Sequence, residues 1–176
     1  MRTIVYKTML TALALCVGTG VFAQDDAIGK FFGKYVDDDR FTVVTISPRM
    51  FHLMAKVNWD TVSQDVKQTL QNIQSFRLLS TETTPRVFYK EALSLFDKSQ
   101  YEELLTVRDK NEDTRFLVRE AGGVIKELVM VSVDDTSFTV LNFVGIIDLD
   151  ALSKFSGDLS IHGMEHLKDV HKKKTP

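Results

Sequence analysis

Cysteine is almost absent from this 176-residue chain, since its single cysteine, Cys16, lies in an apolar stretch near the N-terminus. Removal of that stretch would leave a chain with no disulfide and no thiol chemistry. Only three prolines interrupt the sequence, and no repeat or low-complexity linker divides it, which favours one domain. About 150 residues suffice for such a domain to bury most of its apolar surface without cross-links.

Excess positive charge and further apolar runs are also missing. Lysine and arginine total 22 against 24 aspartates and glutamates, so the net charge of −2 provides no positive field for nucleic acid. No apolar run after the N-terminal stretch approaches the roughly 18 residues that span a bilayer. The chain also has no glycine-rich phosphate loop and no nucleophile elbow. We therefore expect no nucleic-acid partner, no transmembrane segment in the mature chain and no cofactor.

The first 23 residues have the three parts of a secretory signal peptide. Residues 1–7 carry two positive charges, residues 8–22 carry none, and Val21-Phe22-Ala23 places short residues where signal peptidase recognises its substrate. We predict cleavage between Ala23 and Gln24 and export to the periplasm or the cell envelope. Loss of the two positive charges lowers the net charge to −4. A lipoprotein modified at Cys16 is the less favoured alternative, because Leu15 is too large for the position before the modified cysteine.

Helical spacing of apolar residues predicts helices in the first part of the mature chain. One stripe begins at Ile28, and another follows Ser47-Pro48, an N-cap serine with a first-turn proline. Residues 41–46 are mostly β-branched and apolar, which predicts a strand buried on both faces. The two helical stripes are Ile28, Phe31, Phe32, Tyr35, Val36 and Met50, Leu53, Met54, Val57.

The period changes to two between residues 101 and 147, where three turn signals predict a four-strand antiparallel meander. A three-residue turn at Gly122-Gly123-Val124 would place Arg119 opposite Glu127. Two-residue turns at Asn111-Glu112 and Asp134-Asp135 would complete the register. The resulting pairs include Val107 with Phe116, Phe116 with Met130, Val118 with Leu128, Val129 with Val140, Val131 with Phe138, and Glu127 with Asn142.

Both faces of this predicted meander are apolar. A soluble sheet with one wet face would alternate more cleanly between apolar and polar residues. Either helices cover both faces, or part of the second face is a partner surface. The first face would hold Leu105, Val107, Phe116, Val118, Leu128, Met130, Leu141 and Phe143, and the second Leu117, Val129, Val131, Phe138, Val140 and Val144.

These patterns predict a single α+β domain. It would contain a mixed sheet of about six strands that ends in the antiparallel meander, packed by four or five helices. The domain would span residues 24–156, after the signal peptide of residues 1–23. Residues 157–176 would form a C-terminal helix and a basic tail, for which partial disorder is an open alternative.

Two short acidic or histidine-containing patterns suggest chemistry. Asp148-Leu149-Asp150 follows an apolar strand, as in phosphotransferases with a nucleophilic aspartate, but too few residues follow to supply the remaining groups. A helix N-cap at Asp148 explains the pattern better. The stretch His162-Gly163-Met164-Glu165-His166 has the spacing of an inverted zinc-protease motif. Gly163 weakens the helix that this motif needs, so we keep His162, Glu165 and His166 only as an alternative metal site.

The second face of the meander supplies the favoured binding residues. The register aligns Arg119, Glu127 and Asn142 across three strands, with Arg108 and Arg115 beside them. We predict a polar row in which the Arg119 guanidinium is shared between Glu127 and Asn142. Its role is either to stabilise the sheet or to orient an acidic partner against the apolar strip of Val129, Phe138 and Val140.

Several segments, taken in order, resemble a family called domain of unknown function 4252, whose members are exported proteins found mainly in Bacteroidetes-type bacteria. The similarity extends over roughly residues 28–170 and is strongest at residues 101–108, the Gly122-Gly123 turn, residues 147–154 and residues 163–167. The resemblance implies one exported α+β domain in the bacterial envelope and supplies no catalytic residue.

The combined observations favour a non-enzymatic binding or regulatory module of the cell envelope. This module would present a sheet or helix surface to another envelope protein. The observations leave open whether it forms a homo-oligomer. The alternative is a metal-dependent hydrolase that uses the His162, Glu165 and His166 stretch.

Overall fold

The computed structural model describes residues 27–57, 63–96, 99–156 and 166. Within these residues the chain forms five helices and six strands. The predicted signal peptide and almost all of the predicted tail lie outside the described residues. In chain order the elements are α1 Ala27–Tyr35, β1 Thr42–Ile46, α2 Pro48–Lys56, α3 Gln64–Asn72, β2 Ile73–Thr81, α4 Pro85–Ser94, β3 Glu102–Arg108, β4 Asp113–Ala121, β5 Val124–Val133, β6 Phe138–Ile147 and α5 Leu149–Ser156.

The six strands form one sheet in the order β1-β2-β6-β5-β4-β3. The α+β class and the meander of β3 to β6 are confirmed. The expectation of a mixed sheet is wrong, because every pairing between the described strands is antiparallel. Two helices connect β1 to β2 and reverse the chain direction. The single helix α4 returns the chain to the same direction as β2, but it places β3 at the opposite edge of the sheet, where β2 cannot pair with it.

The register between β4 and β5 is confirmed, with Phe116 opposite Met130 and Arg119 opposite Glu127. The turn itself is shorter than expected. It contains two residues, Gly122 and Gly123, with φ values of 63° and 73°, which only glycine adopts without strain. A bulge next to Arg119 adds one extra residue to β5. Beyond this bulge the strand partners are those that the three-residue turn had predicted, including Arg119 opposite Glu127.

The other two predicted registers of the meander are wrong by two residues. Phe116 lies opposite Leu105 rather than Val107, and Val129 lies opposite Asn142 rather than Val140. The loops contain four residues instead of two, because Asp109 and Asp134 each accept backbone N–H bonds within their loops. A shift of two residues leaves the side chains on their predicted faces. An exception is the start of β3, where a bulge between Glu103 and Leu105 increases the error to three residues and reverses the faces.

Helices cover both faces of the sheet, which decides between the two alternatives for the second face. On the first face, α2, α3 and α5 pack over Phe116, Leu128 and Met130, which are fully buried. On the second face, α1 and α4 pack over the apolar side chains of the meander. The buried residues of this second layer are Ile28, Phe31, Phe32, Tyr35, Phe41, Leu79, Phe88, Tyr89, Ala92, Tyr101, Leu117, Val129, Val131, Val133, Phe138 and Val140.

Two predictions about the β1 and α2 region are wrong. Strand β1 lies at the edge of the sheet, and none of its five residues is fully buried. The core-facing residues of α2 are Phe51 and Ala55, with Met54 partly buried. The predicted stripe of Met50, Leu53 and Val57 is exposed, because α2 packs near an edge where the sheet covers only one flank of its wide apolar arc.

Candidate functional site

The predicted polar row exists on the second face, and Glu127 is its centre. This residue is 2% exposed. Its carboxylate accepts hydrogen bonds from Arg119 Nε and Nη2, at 2.9 and 2.8 Å, and from Asn142 Nδ2 at 2.7 Å. The shared group is therefore the Glu127 carboxylate, and not the Arg119 guanidinium as we predicted. The contact with Asn142 is diagonal, since Val144 lies opposite Glu127.

Two further residues complete this row, and sequence reasoning missed both. The Tyr101 hydroxyl donates to Glu127 Oε2 at 3.0 Å, and Arg77 Nη2 donates to Asn142 Oδ1 at 3.2 Å. The Arg77 guanidinium also lies 5.0 Å from the ring centre of Phe32. Tyr101 precedes β3 and Arg77 belongs to β2, so neither lies on a strand that the predicted register had placed beside Glu127.

The electrostatics of the row keep both donors protonated. Burial raises the pKa of Tyr101, and the nearby Glu127 charge raises it further. Burial opposes the charge of Arg119, but the hydrogen bonds and charge of Glu127 outweigh this effect and raise the arginine pKa. The row is thus a buried ion pair whose polar atoms contact one another.

Arg108 and Arg115 form a separate group around Asp113. Arg108 Nε donates to Asp113 Oδ2 at 2.8 Å, and Arg115 Nε lies 3.4 Å from Oδ1 of the same carboxylate. Arg115 also contacts Glu103 at 3.6 Å. Burial raises the pKa of Asp113, but hydrogen bonds from Tyr89 and Arg108 reverse this effect and lower it below its usual value. Four residues along β4 separate this group from Arg119, a distance of roughly 13 Å.

The five predicted binding residues therefore divide into two groups, in which each arginine contacts a carboxylate of its own chain. An acidic partner would have to compete with these carboxylates. The apolar strip of Val129, Phe138 and Val140 is fully buried beneath α1 and α4, so it is not a surface on which a partner could lie. A binding role for the arginines stays a prediction.

The first face contains a second buried polar row, which the sequence analysis did not find. Its hydroxyls bond to one another in pairs: Thr114 to Ser132 at 2.6 Å, and Ser80 to Thr139 at 2.9 Å. The side chain of Thr114 also donates to Glu112 Oε1 at 2.6 Å. These groups satisfy one another across adjacent strands, which is the usual state of buried polar side chains.

The alternative metal site is largely outside the described residues, since His162 and Glu165 are not among them. His166 is described, and its Nε2 lies 3.2 Å from Glu112 Oε1. No group of three or more histidine, cysteine, aspartate or glutamate side chains that could hold a metal occurs in the part of the chain that the structure describes. The described residues thus add a carboxylate neighbour for His166 but no further ligand set.

The acidic pair after β6 is a helix cap, as predicted. Asp148 Oδ1 accepts hydrogen bonds from the backbone N–H groups of Asp150 and Ala151, at 2.9 and 3.1 Å. The same aspartate begins α5, whose first residue is Leu149. This arrangement uses the Asp148 carboxylate to satisfy free N–H groups at the helix start.

Exposed apolar residues lie on α2, at its C-terminal end and on the edge strand β1. Ser47 Oγ accepts from the Met50 N–H at 3.4 Å and begins α2. Met50, Leu53 and Val57 are 51%, 51% and 50% exposed, and Val44 on β1 is 40% exposed. Val44 lies opposite Leu78, a residue of the first-face core, so it is on the same side of the sheet as α2. We call these four residues the edge surface.

The orientation of α2 places its exposed stripe at the outer side of the sheet. His52 Nε2 lies 3.1 Å from the backbone oxygen of Gln71, which marks the side of α2 that faces α3. At about 100° per residue, Met50 and Val57 lie roughly 160° and 140° around the helix axis from His52. They therefore face away from α3.

None of the described helices is long and apolar enough to cross a membrane. Neither the curated proteins nor the solved structures include a match to this chain. One family model matches residues 35–155, a range that includes all six strands and helices α2 to α4, together with most of α5. This match covers more than half of the chain. The chain therefore belongs to the family described as domain of unknown function, DUF4252.

Proposed function

We propose that the mature chain is an exported, non-enzymatic binding module of the bacterial cell envelope and that it binds a protein partner through the edge surface. The observation that carries this proposal is the half-exposure of Met50, Leu53 and Val57 beside an edge strand. Large exposed apolar patches mark interaction sites in folded proteins, and we take these residues to form one such patch.

The edge surface offers two kinds of contact at once. Among the described strands, β1 pairs with β2 alone, so alternate backbone N–H and C=O groups of β1 point away from the sheet. A partner strand would add to this edge by main-chain hydrogen bonds, while its side chains on the first face would pack against α2. The second face would contribute little, because α1 and α4 already cover its apolar residues.

Site-specific photocrosslinking in cells that export the protein tests this proposal. We would replace Leu53 by p-benzoylphenylalanine and use Val87 as the matched control, since Val87 is 61% exposed on α4 above the other face. We expect a discrete protein adduct from position 53 and none from position 87. Equal labelling at both positions, or none at position 53, would overturn the proposal.

The predicted export is tested on the same material. N-terminal sequencing of the exported protein should begin at Gln24, whereas a lipid-modified product would begin at Cys16. Zinc analysis of the mature protein addresses the hydrolase alternative. Stoichiometric zinc that is lost in His162→Ala would favour a metal site at His162, Glu165 and His166 over a purely binding role.

A further inference from the structure

We infer that the partner bound by the edge surface is a second copy of this chain, joined by antiparallel pairing of β1 with β1. The inference rests on the proposed function, since it assigns the occupant of the same surface. It follows from a comparison of the two sheet edges, from the symmetry of the β1 sequence and from the charges at the two ends of the strand.

The two edge strands differ in their protection against pairing. Strand β3 carries Glu102, Glu103 and Arg108, and its pairing with β4 contains a bulge between Glu103 and Leu105. Charges and bulges are the features by which edge strands avoid other strands. Strand β1 has the sequence Thr-Val-Val-Thr-Ile, without charge, proline or glycine, and its register with β2 is regular over all five residues. The β1 edge is therefore the one open to another strand.

The β1 sequence suits pairing with itself. In an antiparallel pair centred on Val44, Val43 lies opposite Thr45, and Thr42 lies opposite Ile46. Every such pair joins β-branched side chains, which favour cross-strand packing. A two-fold axis perpendicular to the sheet at Val44 would keep the first faces of both copies on the same side. The two α2 helices would then lie side by side, with Met50, Leu53 and Val57 of each copy facing those of the other.

The charges at the ends of β1 favour the same arrangement. Asp39 lies in the turn before β1, and Arg49 lies in the first turn of α2. Antiparallel pairing places the start of each β1 beside the end of the other, so the turn that carries Asp39 in one copy would lie near Arg49 of the other. Both residues are exposed, and neither forms an ion pair with any residue in the described ranges. Parallel pairing would bring like charges together. The antiparallel dimer thus gains two equivalent charge contacts at its rim, where such contacts influence specificity.

Sedimentation velocity of the mature protein, from about 1 to about 200 µM, measures this association. We expect a reversible dimer whose dissociation constant increases at least tenfold in Val44→Lys, because the two-fold axis places the new charges beside each other. Val87→Lys, an exposed substitution on the other face, should leave the dimer unchanged. Circular dichroism melting at a protein concentration well below the dissociation constant should give the same Tm for both variants, because Val44 and Val87 are both exposed in the monomer.

Charge reversal provides a second and independent test. Arg49→Glu should weaken the dimer, and Arg49→Glu combined with Asp39→Arg should restore it. A wild-type protein that remains monomeric throughout the concentration range, or a dimer unaffected by Val44→Lys, would overturn the inference. If the protein is monomeric and position 53 crosslinks to a different protein, the binding module stands and only the self-association fails. If position 53 yields no adduct, the proposed function fails as well.

Discussion

Replacement of Glu127 by glutamine tests whether the buried polar row stabilises the fold. Four donor atoms surround this carboxylate: Nε and Nη2 of Arg119, the Tyr101 hydroxyl and Asn142 Nδ2. Glutamine keeps one acceptor oxygen and adds an NH₂ group. If the oxygen faces Arg119, the NH₂ group faces Asn142 Nδ2. Asn142 cannot simply rotate its amide, because its Oδ1 accepts from Arg77.

The expected cost of Glu127→Gln follows from the burial of the pair. Removing one partner of a buried ion pair typically costs about 3–5 kcal/mol, because an uncompensated charge remains inside the protein. The Arg119 side chain is 21% exposed and can regain some hydration, which reduces this cost. We expect Glu127→Gln to lower the free energy of unfolding by about 2–4 kcal/mol.

Urea denaturation at neutral pH measures this change, provided that the m-value stays constant. A double-mutant cycle with Arg119→Met isolates the pair, and we expect a coupling energy of about 1–3 kcal/mol. The matched control is Asp135→Asn, which breaks an ion pair with Arg86 at 2.8 Å between side chains that are 54% and 66% exposed. That exposed pair should contribute less than about 1 kcal/mol.

The charge swap Arg119→Glu with Glu127→Arg should not restore stability. The swap would place the larger arginine at a position that is 2% exposed, where it cannot accept the hydrogen bonds that Tyr101 and Asn142 now donate to a carboxylate. A swap variant as stable as the wild type, or a cost of Glu127→Gln below about 0.5 kcal/mol, would refute our account of the row.

Three further predictions concern the core, a glycine and a loop. Leu128→Ala should lower the free energy of unfolding by about 2–5 kcal/mol in urea denaturation, because Leu128 is fully buried in the first-face core; a cost below about 0.5 kcal/mol would mean that this face is not packed. Gly145→Ala should lower the free energy of unfolding by about 1–3 kcal/mol, since φ is 150° and the new Cβ would overlap the backbone oxygen of Asn72. Gly33→Ala in α1 places its Cβ where no atom lies within 4 Å, so this substitution should raise Tm. Equal Tm changes in the two variants would contradict this contrast. Burial raises the pKa of Asp134, but its hydrogen bonds within the β5–β6 loop outweigh burial and lower the pKa to about 2. The stabilisation is therefore complete above the unfolded pKa of about 4 and is lost as the pH falls through the folded pKa of about 2. Asp134→Ala should therefore cost on the order of 1 kcal/mol at pH 7 and clearly less at pH 2. A cost that does not depend on pH would show that the charge is not responsible.

The sequence alone determined which meander residues share a face. Alternation along a strand is a local property, so the core side chains Phe116, Leu128 and Met130 were predicted correctly. Two of the three registers were wrong, because loop length depends on how Asp109 and Asp134 bind their own backbones. Over most of each pairing these errors amounted to two residues, which moves a strand along its partner without turning it over. Before the bulge in β3 the error is three residues, so Tyr101 lies on the second face.

Tertiary structure decided everything that depends on distant neighbours. The positions of β2 beside β6 and of β3 at the far edge follow from helix connections whose direction no local pattern specifies. For this reason Arg77 was missing from the predicted polar row. Tyr101 was missing because the bulge between Glu103 and Leu105 moves it to the second face.

The edge surface has the same origin. An apolar stripe such as Met50, Leu53 and Val57 predicts a helix, but it does not reveal which flank of the helix the sheet covers. That depends on where α2 lies over the sheet: α2 packs against α3 and β2, and β2 is the neighbour of the edge strand β1.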